Sequence, residues 1–325
     1  MVSEQSPKTN NPRANAAQTV LRHANRHGDV NPERPVVRFA PSPQGYLHIG
    51  HAYSALLNYN YAQETGGRFL LRIEDIDGTR FRQEFLDQIY DDLSWLGLSW
   101  EVPVRRQSDC FQTYRSALVR LAGLLPLYCS GMSRQDIKDH VLSYEAREER
   151  GWPRDPDGAP LYPASDRPKT MLQPEELADK HGQAVRLHMD DAVGRLADPL
   201  TWTETGSGPD GETGLLTADP SLWGDVVLAR KDIDTSYTLA VVVDDALQGI
   251  SHVIRGQDLF HATSVQRLLQ HFLDLPVPVY HHHRLLLDDQ GKKLAKSRGS
   301  SSIKSLRDEG KTPDDVYALI GLRPA

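Results

Sequence analysis

The sequence has very few cysteines and no long apolar segment. Only Cys110 and Cys129 occur among its 325 residues, which excludes a disulfide framework and leads us to expect a reducing, cytoplasmic location. No apolar run approaches the roughly 18 residues that a membrane-spanning helix needs. Residues 1–34 lack the apolar core of a secretory signal and are interpreted as a disordered N-terminal extension. We therefore expect no membrane partner. We also expect a monomer.

The sequence also has no excess of basic residues. The chain has 37 Lys and Arg against 44 Asp and Glu, a formal net charge of −7. This balance argues against an extensive nucleic-acid-binding surface, because phosphate contacts need cationic side chains, but it does not exclude a local basic surface. With 39% hydrophobic and 25% charged residues, the composition is that of an ordinary globular protein, and the length suits about two domains.

Strand-like and helix-like patterns alternate in the first part of the chain. An apolar run at 36–40 predicts a buried strand, and a packed apolar face predicts a helix over 46–64 that ends at two glycines. A second strand is predicted at 68–73, followed by helices at 83–96 and 111–124. This order is typical of an α/β protein with a doubly wound parallel sheet.

The middle of the chain has a different character. The string "TETGSGPDGETG", residues 203–214, is interpreted as a flexible loop at the end of an inserted subdomain. Strands at 225–230 and 237–243 are predicted to form a hairpin, followed by a helix at 263–272 and a last helix with Thr312 as its N-cap. We divide the chain into the N-terminal extension (1–34), the first half of a Rossmann-like domain (35–126), the inserted subdomain with its flexible loop (127–222), the second half (223–290), and a lysine-rich loop with a helical C-terminal segment (291–325).

The string "FAPSPQGYLHIGH" connects the first strand to the first helix. A loop that leaves a parallel strand and enters a helix presents free backbone N–H groups and the positive end of the helix dipole, which together favour an anion. Pro41 stiffens this loop, and Gly50 leaves room for a flat ring. His48 and His51 share one helix face and could donate hydrogen bonds to phosphate oxygens. The alternative is that both are capping or surface histidines.

A second motif, "GKKLAKS", occupies residues 291–297. By itself, a glycine-flanked turn with Lys292, Lys293 and Lys296 indicates a solvated cationic loop. Combined with the first motif, it suggests a loop whose lysines neutralise the charge of a departing pyrophosphate.

Together these motifs resemble the signatures of the class I aminoacyl-tRNA synthetases. "HIGH" stands at residues 48–51, and "KLAKS" at 293–297 is similar to the K-M-S-K-S loop of that family. The strings "LLRIEDIDGTR", "YTLAVVVDDALQGISHVIRGQDL" and "DDQGKKLAKS" are similar to its glutamyl branch. The resemblance implies a Rossmann-like catalytic domain with a doubly wound parallel sheet, a connective insertion and a small helical C-terminal part without an anticodon-binding domain.

Only 28 residues follow Ser297, fewer than an anticodon-binding domain needs. The chain therefore resembles the truncated paralogues that activate L-glutamate with ATP in the absence of tRNA and attach it to queuosine in the anticodon loop of tRNA(Asp). The expected partners are L-glutamate, ATP and queuosine-bearing tRNA(Asp). Two alternatives remain: a truncated glutamyl-tRNA synthetase that charges a tRNA 3′ end, and a non-catalytic relic that binds glutamate or tRNA.

The resemblance also assigns roles to individual residues, and their chemistry suits those roles. Arginine forks recognise carboxylates, a glutamate carboxylate recognises an ammonium, and cations stabilise phosphate charge. No general base is needed, since the substrate carboxylate is ionised and attacks the α-phosphate directly, with Mg²⁺ accompanying ATP. The implied glutamate-binding residues are Arg38, Ser42, Glu74, Tyr237 and Arg255; the ATP-binding residues are Pro41, His48, Gly50, His51, Lys293 and Lys296; the catalytic residues are His48, His51 and Lys296.

Many of the resembling enzymes hold a zinc ion with a Tyr-x-Cys-x-Cys stretch and a later Tyr-x₃-Cys. Here Ser130 and Met132 stand where those cysteines would be, and Asp166 replaces the later one. Tyr162 is retained, and Cys129 is one residue out of register. Because structural zinc takes four suitable ligands, we predict that zinc is absent.

Three consecutive histidines at 281–283 invite a metal-site interpretation as well. Neighbouring residues in a strand point to opposite faces, so the three side chains do not converge on one ion. We therefore predict no metal site here and place His282 near the lysine loop.

Overall fold

The computed structural model describes residues 34–179, 182–286 and 302–322. No helix within these ranges is long and apolar enough to cross a membrane. The helices in them are α1 Ile49–Thr65, α2 Gln83–Trp95, α3 Phe111–Ala122, α4 Arg134–Glu148, α5 Met189–Val193, α6 Tyr237–Leu247, α7 Thr263–Phe272, α8 Ile303–Asp308 and α9 Pro313–Ile320. The strands are β1 Val36–Phe39, β2 Arg68–Ile73, β3 Arg105–Arg106, β4 Leu127–Ser130, β5 Ala184–Leu187, β6 Thr201–Glu204, β7 Gly214–Thr217, β8 Val227–Ala229, β9 His252–Gly256 and β10 Val279–His283.

The first half of the fold is a β–α–β unit. Strands β1 and β2 are parallel, with Val37 opposite Phe69, and β3 continues the parallel pairing beside β2. All four residues of β1 are buried, as expected for a strand covered on both faces. Helix α1 makes the crossover and ends at Gly66, whose φ of 63° is the left-handed conformation that glycine adopts without strain. This unit carries the "HIGH" string at the start of α1.

The second half adds further parallel strands. Strand β10 pairs in parallel with β9 on one side and with β6 on the other. The two halves meet where the Ser251 N–H donates to the Val36 carbonyl at 3.0 Å, immediately before β9 begins. The predicted α/β class with a parallel sheet is confirmed, and the carboxyl ends of β1 and β9 therefore open side by side.

Strands β4, β5 and β8 form a separate antiparallel sheet. Its strand order is β4-β5-β8, and α4 follows β4 with a capping box in which Ser133 and Asp136 exchange hydrogen bonds. This sheet shares an apolar core with α3, α6 and α7. The division of the chain proposed from the sequence stays a prediction.

One predicted strand is wrong. Residues 237–243 begin helix α6, and the predicted hairpin with 225–230 does not form, since β8 pairs with β5 instead. Ser236 caps the helix by accepting a hydrogen bond from Leu239 N at 3.3 Å. The helix is buried on nearly all sides between α3 and α7, so its apolar residues run continuously and show no helical periodicity. A short apolar run of this kind does not distinguish strand from helix.

The prediction of a flexible loop at 203–214 is also wrong in part. Its two ends form the antiparallel hairpin β6–β7, with Glu204 opposite Gly214. The hairpin is anchored to the parallel sheet because β6 lies beside β10. Its buried carboxylate, Glu204, is only 2% exposed, which the surrounding Gly, Ser and Thr residues do not indicate.

Candidate active site

A cavity of about 270 Å³ opens where β1, β2, β9 and β10 end. This is the edge at which parallel α/β sheets bind ligands. Lys293 and Lys296 lie outside the described residues. All the other residues predicted for the site line this one cavity: Arg38, Pro41, Ser42, His48, Gly50, His51, Glu74, Tyr237 and Arg255.

The two histidines of "HIGH" form the first turn of α1. His48 is the N-cap, and its Nδ1 accepts from Gly50 N at 3.1 Å, while His51 Nδ1 accepts from His48 N at 3.2 Å. Their rings stack with centroids 3.7 Å apart. Because both Nδ1 atoms accept backbone hydrogens, each neutral ring carries its proton on Nε2. The capping interpretation and the anion-binding interpretation are therefore compatible: the cap fixes the tautomer whose Nε2–H is a donor.

Gly50 leaves little room for a side chain. A Cβ atom there would lie 3.0 Å from Cε1 and 3.1 Å from Nδ1 of His48. Such contacts are tighter than ordinary van der Waals distances, so an alanine would require the His48 ring to shift by a few tenths of an ångström. The glycine therefore suits the histidine geometry, in addition to leaving the space that the sequence suggested for a flat ligand.

Arg38 does not extend freely into the cavity but is clamped from behind. Its Nε and Nη2 donate to the two carboxylate oxygens of Asp245 at 3.0 and 3.3 Å. Arg72, on β2, donates through Nη1 to the same carboxylate at 2.7 Å. Burial opposes the charge on Asp245, but the two guanidinium groups outweigh it and hold its pKa below the usual value. The fork of Arg38 is therefore fixed, with Nη1 as the group not used by Asp245.

Helix α6 contributes to the site from both ends. Its first residue, Tyr237, lines the cavity, and its last turn carries Asp244 and Asp245. Asp244 is fully buried and accepts from Arg105 at 2.7 Å and from Tyr114 at 2.8 Å. This carboxylate pair ties α6 to β1, β2, β3 and α3 and fixes where Tyr237 stands.

Glu74 and Tyr237 face the cavity in a strongly desolvated setting. Arg72 donates to Glu74 Oε1 at 3.2 Å. Burial raises the pKa of Glu74 above its usual value despite the attraction of Arg72 and Arg38. Burial, reinforced by the nearby charge of Glu74, raises the pKa of Tyr237 to about 12. The phenol therefore stays protonated at neutral pH and is available as a hydrogen-bond donor.

Arg255 stands on the opposite wall, at the end of β9. Its Nη2 donates to Thr263 Oγ1 at 2.8 Å and to the Leu259 carbonyl at 3.1 Å, and its Nε donates to His282 at 3.0 Å. The side chain is 5% exposed. The described residues thus engage Nε and Nη2 of Arg255, as they do for Arg38, so both guanidinium groups are rigidly held while lining the same cavity.

The loop after β1 adds a hydroxyl group. Ser42 Oγ is buried, lines the cavity and has no hydrogen-bond partner among the described residues. An unsatisfied buried hydroxyl is costly unless a ligand completes it. The Pro41 carbonyl accepts from Glu74 N at 3.0 Å, which joins this loop to the acidic turn after β2.

The remaining carboxylates of that acidic turn have structural partners. Asp75 accepts from Arg106 at 2.7 Å and from Ser108 N at 2.8 Å. Asp77 accepts from Thr79 Oγ1 at 2.6 Å and from Arg230 at 3.2 Å. They orient the turn, whereas helix α2 has no side-chain cap.

The segment with the predicted lysine loop lies outside the described residues, but its flanks are at the cavity. Leu286, before the segment, lines the cavity. After it, Ser302 forms an isolated β-bridge with His48, and Ile303 N donates to the Leu47 carbonyl at 2.8 Å. The chain therefore leaves and re-enters the described structure beside the histidine motif.

Sequence reasoning missed Asp245 and Arg72, the two side chains that hold Arg38. The signal was present: two adjacent carboxylates end the apolar string "LAVVVDD", and an arginine interrupts the buried strand "RFLLRI". Charged residues inside apolar runs are buried only when paired. Which carboxylate meets which arginine depends on contacts across 207 and 173 residues, and the local sequence carries no such information.

Near the antiparallel sheet β4-β5-β8, the positions compared with a zinc site are joined by hydrogen bonds. Asp166 Oδ2 accepts from Gly131 N at 2.9 Å and from the hydroxyl of Tyr162, and that hydroxyl accepts from Met132 N at 3.3 Å. Within the described ranges, no group of three or more His, Cys, Asp or Glu side chains is arranged to hold a metal ion. One carboxylate and one phenol are fewer than the four ligands that a structural zinc ion takes.

These features agree with the comparisons to known proteins. A family model described as "tRNA synthetases class I (E and Q), catalytic domain" matches residues 35–324. The chain belongs to this family of ligase-type enzymes, which is the family that the "HIGH" and lysine motifs resemble.

Individual relatives are similar over most of the chain. A protein of Rhodobacter capsulatus named glutamyl-Q tRNA(Asp) synthetase is 46% identical over 294 residues, covering 88% of this chain and 100% of the relative. A glutamate–tRNA ligase 2 of Methylobacterium sp. is 40% identical over 88% of this chain but only 59% of its own length. A solved glutamate–tRNA ligase from Elizabethkingia meningosepticum, in complex with its amino acid, has a TM-score of 0.68 at 24% identity, covering 89% of this chain and 60% of that one, and shows the shared fold.

Zinc content gives a direct test of the altered ligand positions. We expect purified protein, analysed by inductively coupled plasma mass spectrometry after dialysis, to contain much less than one zinc per chain, because Asp166 and Tyr162 offer too few ligands. A full equivalent of zinc that resists dialysis would contradict the ligand assignment.

Proposed function

We propose that this chain activates L-glutamate with ATP to glutamyl-adenylate, without needing tRNA, and transfers the glutamate to queuosine in the anticodon loop of tRNA(Asp). The observation that carries the proposal is the cavity itself: two clamped guanidinium groups and the Glu74 carboxylate share it with the capped histidines of α1. The 46% identity to the Rhodobacter capsulatus relative supports the choice of acceptor.

L-Glutamate fits the charges of this cavity. Its two carboxylates match Arg38 and Arg255, and its ammonium matches Glu74. Tyr237, protonated at neutral pH, and the unsatisfied hydroxyl of Ser42 supply neutral hydrogen-bond partners. Because the charged partners are already held by protein contacts, substrate binding needs little reorganisation of the site.

ATP is proposed to bind across the start of α1. In the first step, a carboxylate oxygen of glutamate forms a bond to the α-phosphorus, and the bond from that phosphorus to the pyrophosphate oxygen breaks. The Nε2–H groups of His48 and His51 stabilise the growing phosphate charge, with Pro41 and Gly50 shaping the loop beside them. Lys293 and Lys296 neutralise the leaving pyrophosphate. Mg²⁺ would accompany ATP, held by phosphates and water, and supply additional charge neutralisation.

In the second step, a hydroxyl of the tRNA attacks the activated carbonyl carbon and AMP departs, which leaves the glutamate esterified to the tRNA. We propose the queuosine ring as the source of that hydroxyl. The second candidate, favoured by the 40% identity to a glutamate–tRNA ligase, is esterification at a tRNA 3′ end. Both candidates share the first step and differ only in the acceptor.

Amino-acid activation is tested by exchange of labelled pyrophosphate into ATP. We expect exchange that depends on L-glutamate and proceeds without tRNA. Glu74→Gln should raise the KM for glutamate about tenfold or more, since a hydrogen bond to a charged group is worth ~1.5–3 kcal/mol, and leave the KM for ATP unchanged. Glu64→Gln, an exposed position on α1, is the matched control. A strict requirement for tRNA would instead favour the glutamyl-tRNA synthetase alternative, and no exchange under any condition would favour the relic.

The acceptor is tested by charging with labelled glutamate. Aspartate tRNA that carries queuosine should be labelled, whereas the same tRNA with unmodified guanosine at that position should not. Removal of the 3′-terminal adenosine separates the two candidates, since charging at the queuosine ring should persist in the shortened tRNA and charging at the 3′ end should not. Equal labelling of tRNA with and without queuosine would contradict the proposed acceptor while leaving glutamate activation intact.

A further inference from the structure

A buried carboxylate–imidazole pair lies directly behind Arg255. Glu204, at the end of β6, accepts from His282 N at 2.8 Å through Oε1 and meets His282 Nδ1 at 2.6 Å through Oε2. Both side chains have no exposed surface. The other ring nitrogen of His282, Nε2, is 3.0 Å from Nε of Arg255. The three side chains therefore form a continuous chain from the β6–β7 hairpin to the wall of the cavity.

The hydrogen-bonding capacities of these groups allow one arrangement of protons. The Nε–H of Arg255 is only a donor, so Nε2 of His282 must be the acceptor. Nδ1 of His282 then carries the proton and donates it to the Glu204 carboxylate. Only this neutral tautomer satisfies both neighbours, because a ring with a proton on Nε2 would direct that proton at the Arg255 N–H.

The electrostatic setting favours the same assignment. Burial, together with the positive charge of Arg255, lowers the pKa of His282 to about 4, although the hydrogen bond to Glu204 acts to raise it. Burial disfavours the charge on Glu204, but its hydrogen bonds from His282 outweigh burial and hold its pKa below the usual value. Glu204 is thus ionised and His282 neutral at physiological pH.

We infer that Glu204 is a positioning residue for amino-acid recognition: by fixing the Nδ1–H tautomer of His282, it makes Nε2 an acceptor that orients the Arg255 guanidinium toward the substrate carboxylate. This inference rests on the proposed function, in which Arg255 binds a carboxylate of glutamate. Thr263 and the Leu259 carbonyl hold Nη2 of the same guanidinium, so His282 supplies the remaining contact that sets its rotation about the side-chain axis.

We call the hydrogen-bonded chain from Glu204 through His282 to Arg255 the relay. It differs from an ordinary packing contact because it depends on charge rather than on shape. Glu204 also accepts from Gly206 N at 2.9 Å, and a glutamine could keep this bond and the one from His282 N through its single carbonyl oxygen. Its NH₂ group, however, would face Nδ1 of His282 as a donor. The ring would then move its proton to Nε2, and the hydrogen bond to Arg255 would be lost. Glu204→Gln therefore changes the tautomer with little change in volume.

The kinetic test compares Glu204→Gln with Glu212→Gln in the same hairpin. Glu212 accepts from Asp210 N at 2.9 Å and forms no hydrogen bond to His282 within the described residues. We expect Glu204→Gln to raise the KM for glutamate in pyrophosphate exchange about tenfold or more, with kcat and the KM for ATP changed less than about twofold, since a charge-assisted contact to substrate is misaligned. Glu212→Gln should behave as wild type. A role confined to hairpin stability predicts a lower melting temperature and less active enzyme, with an unchanged KM for glutamate.

A double variant tests whether the effect passes through Arg255. In the background of Arg255→Lys, which lacks the Nε–H, Glu204→Gln should add less than about twofold to the KM for glutamate, because coupled residues are not additive. Full additivity of the two substitutions would overturn the relay.

The tautomer itself is measurable without activity. Long-range ¹H–¹⁵N spectra of histidine-labelled protein should show His282, assigned by its loss in His282→Gln, protonated at Nδ1 in wild type and at Nε2 in Glu204→Gln. A wild-type ring protonated at Nε2, or one unchanged by the substitution, would refute the inference. If wild-type enzyme shows the expected tautomer but no glutamate-dependent exchange, the proposed function fails and the hydrogen-bond relay stands.

Discussion

The carboxylate of Asp245, held between Arg38 and Arg72, is the contact on which the site depends. It joins the end of α6 to β1 and β2, three elements far apart in the sequence. Next to it, Asp244 binds Arg105, and Glu74 binds Arg72. Three carboxylates thus face three guanidinium groups in a largely buried setting, where each charge is tolerable only because of the others.

This arrangement gives the cavity a fixed pattern of charge before any substrate arrives. Arg38 is clamped by a carboxylate, and Arg255 by a neutral imidazole that is itself set by Glu204. The two arginines are the same residue type in two different electrostatic settings. The charge of Arg38 is partly neutralised by Asp245, whereas Arg255 keeps its full charge for a ligand. Preorganisation of this kind lowers the cost of aligning an amino acid with a phosphate.

The local parts of this account could be predicted from sequence. The strand at 68–73 and the helix at 263–272 have the predicted bounds, since their apolar patterns and flanking signals are contained in the segments themselves. The "HIGH" string likewise marks the start of α1. The helix begins at Ile49 rather than at the predicted residue 46, because His48 is its N-cap. Helix α6 was missed because tertiary burial on all sides removed its periodicity. The partners Asp245 and Glu204 were missed because each acts on an arginine that only folding brings near.

The central claim is that Asp245 maintains the carboxylate-binding geometry of Arg38. Calorimetric titration of L-glutamate into Asp245→Asn tests it most directly, with Asp91→Asn, an exposed position on α2, as the control and thermal unfolding as the check that the variant is folded. Loss of one partner of a buried ion pair should lower the free energy of unfolding by ~3–5 kcal/mol, and below the melting transition the dissociation constant for glutamate should rise about tenfold or more. A folded Asp245→Asn variant that binds glutamate as tightly as wild type would contradict the account.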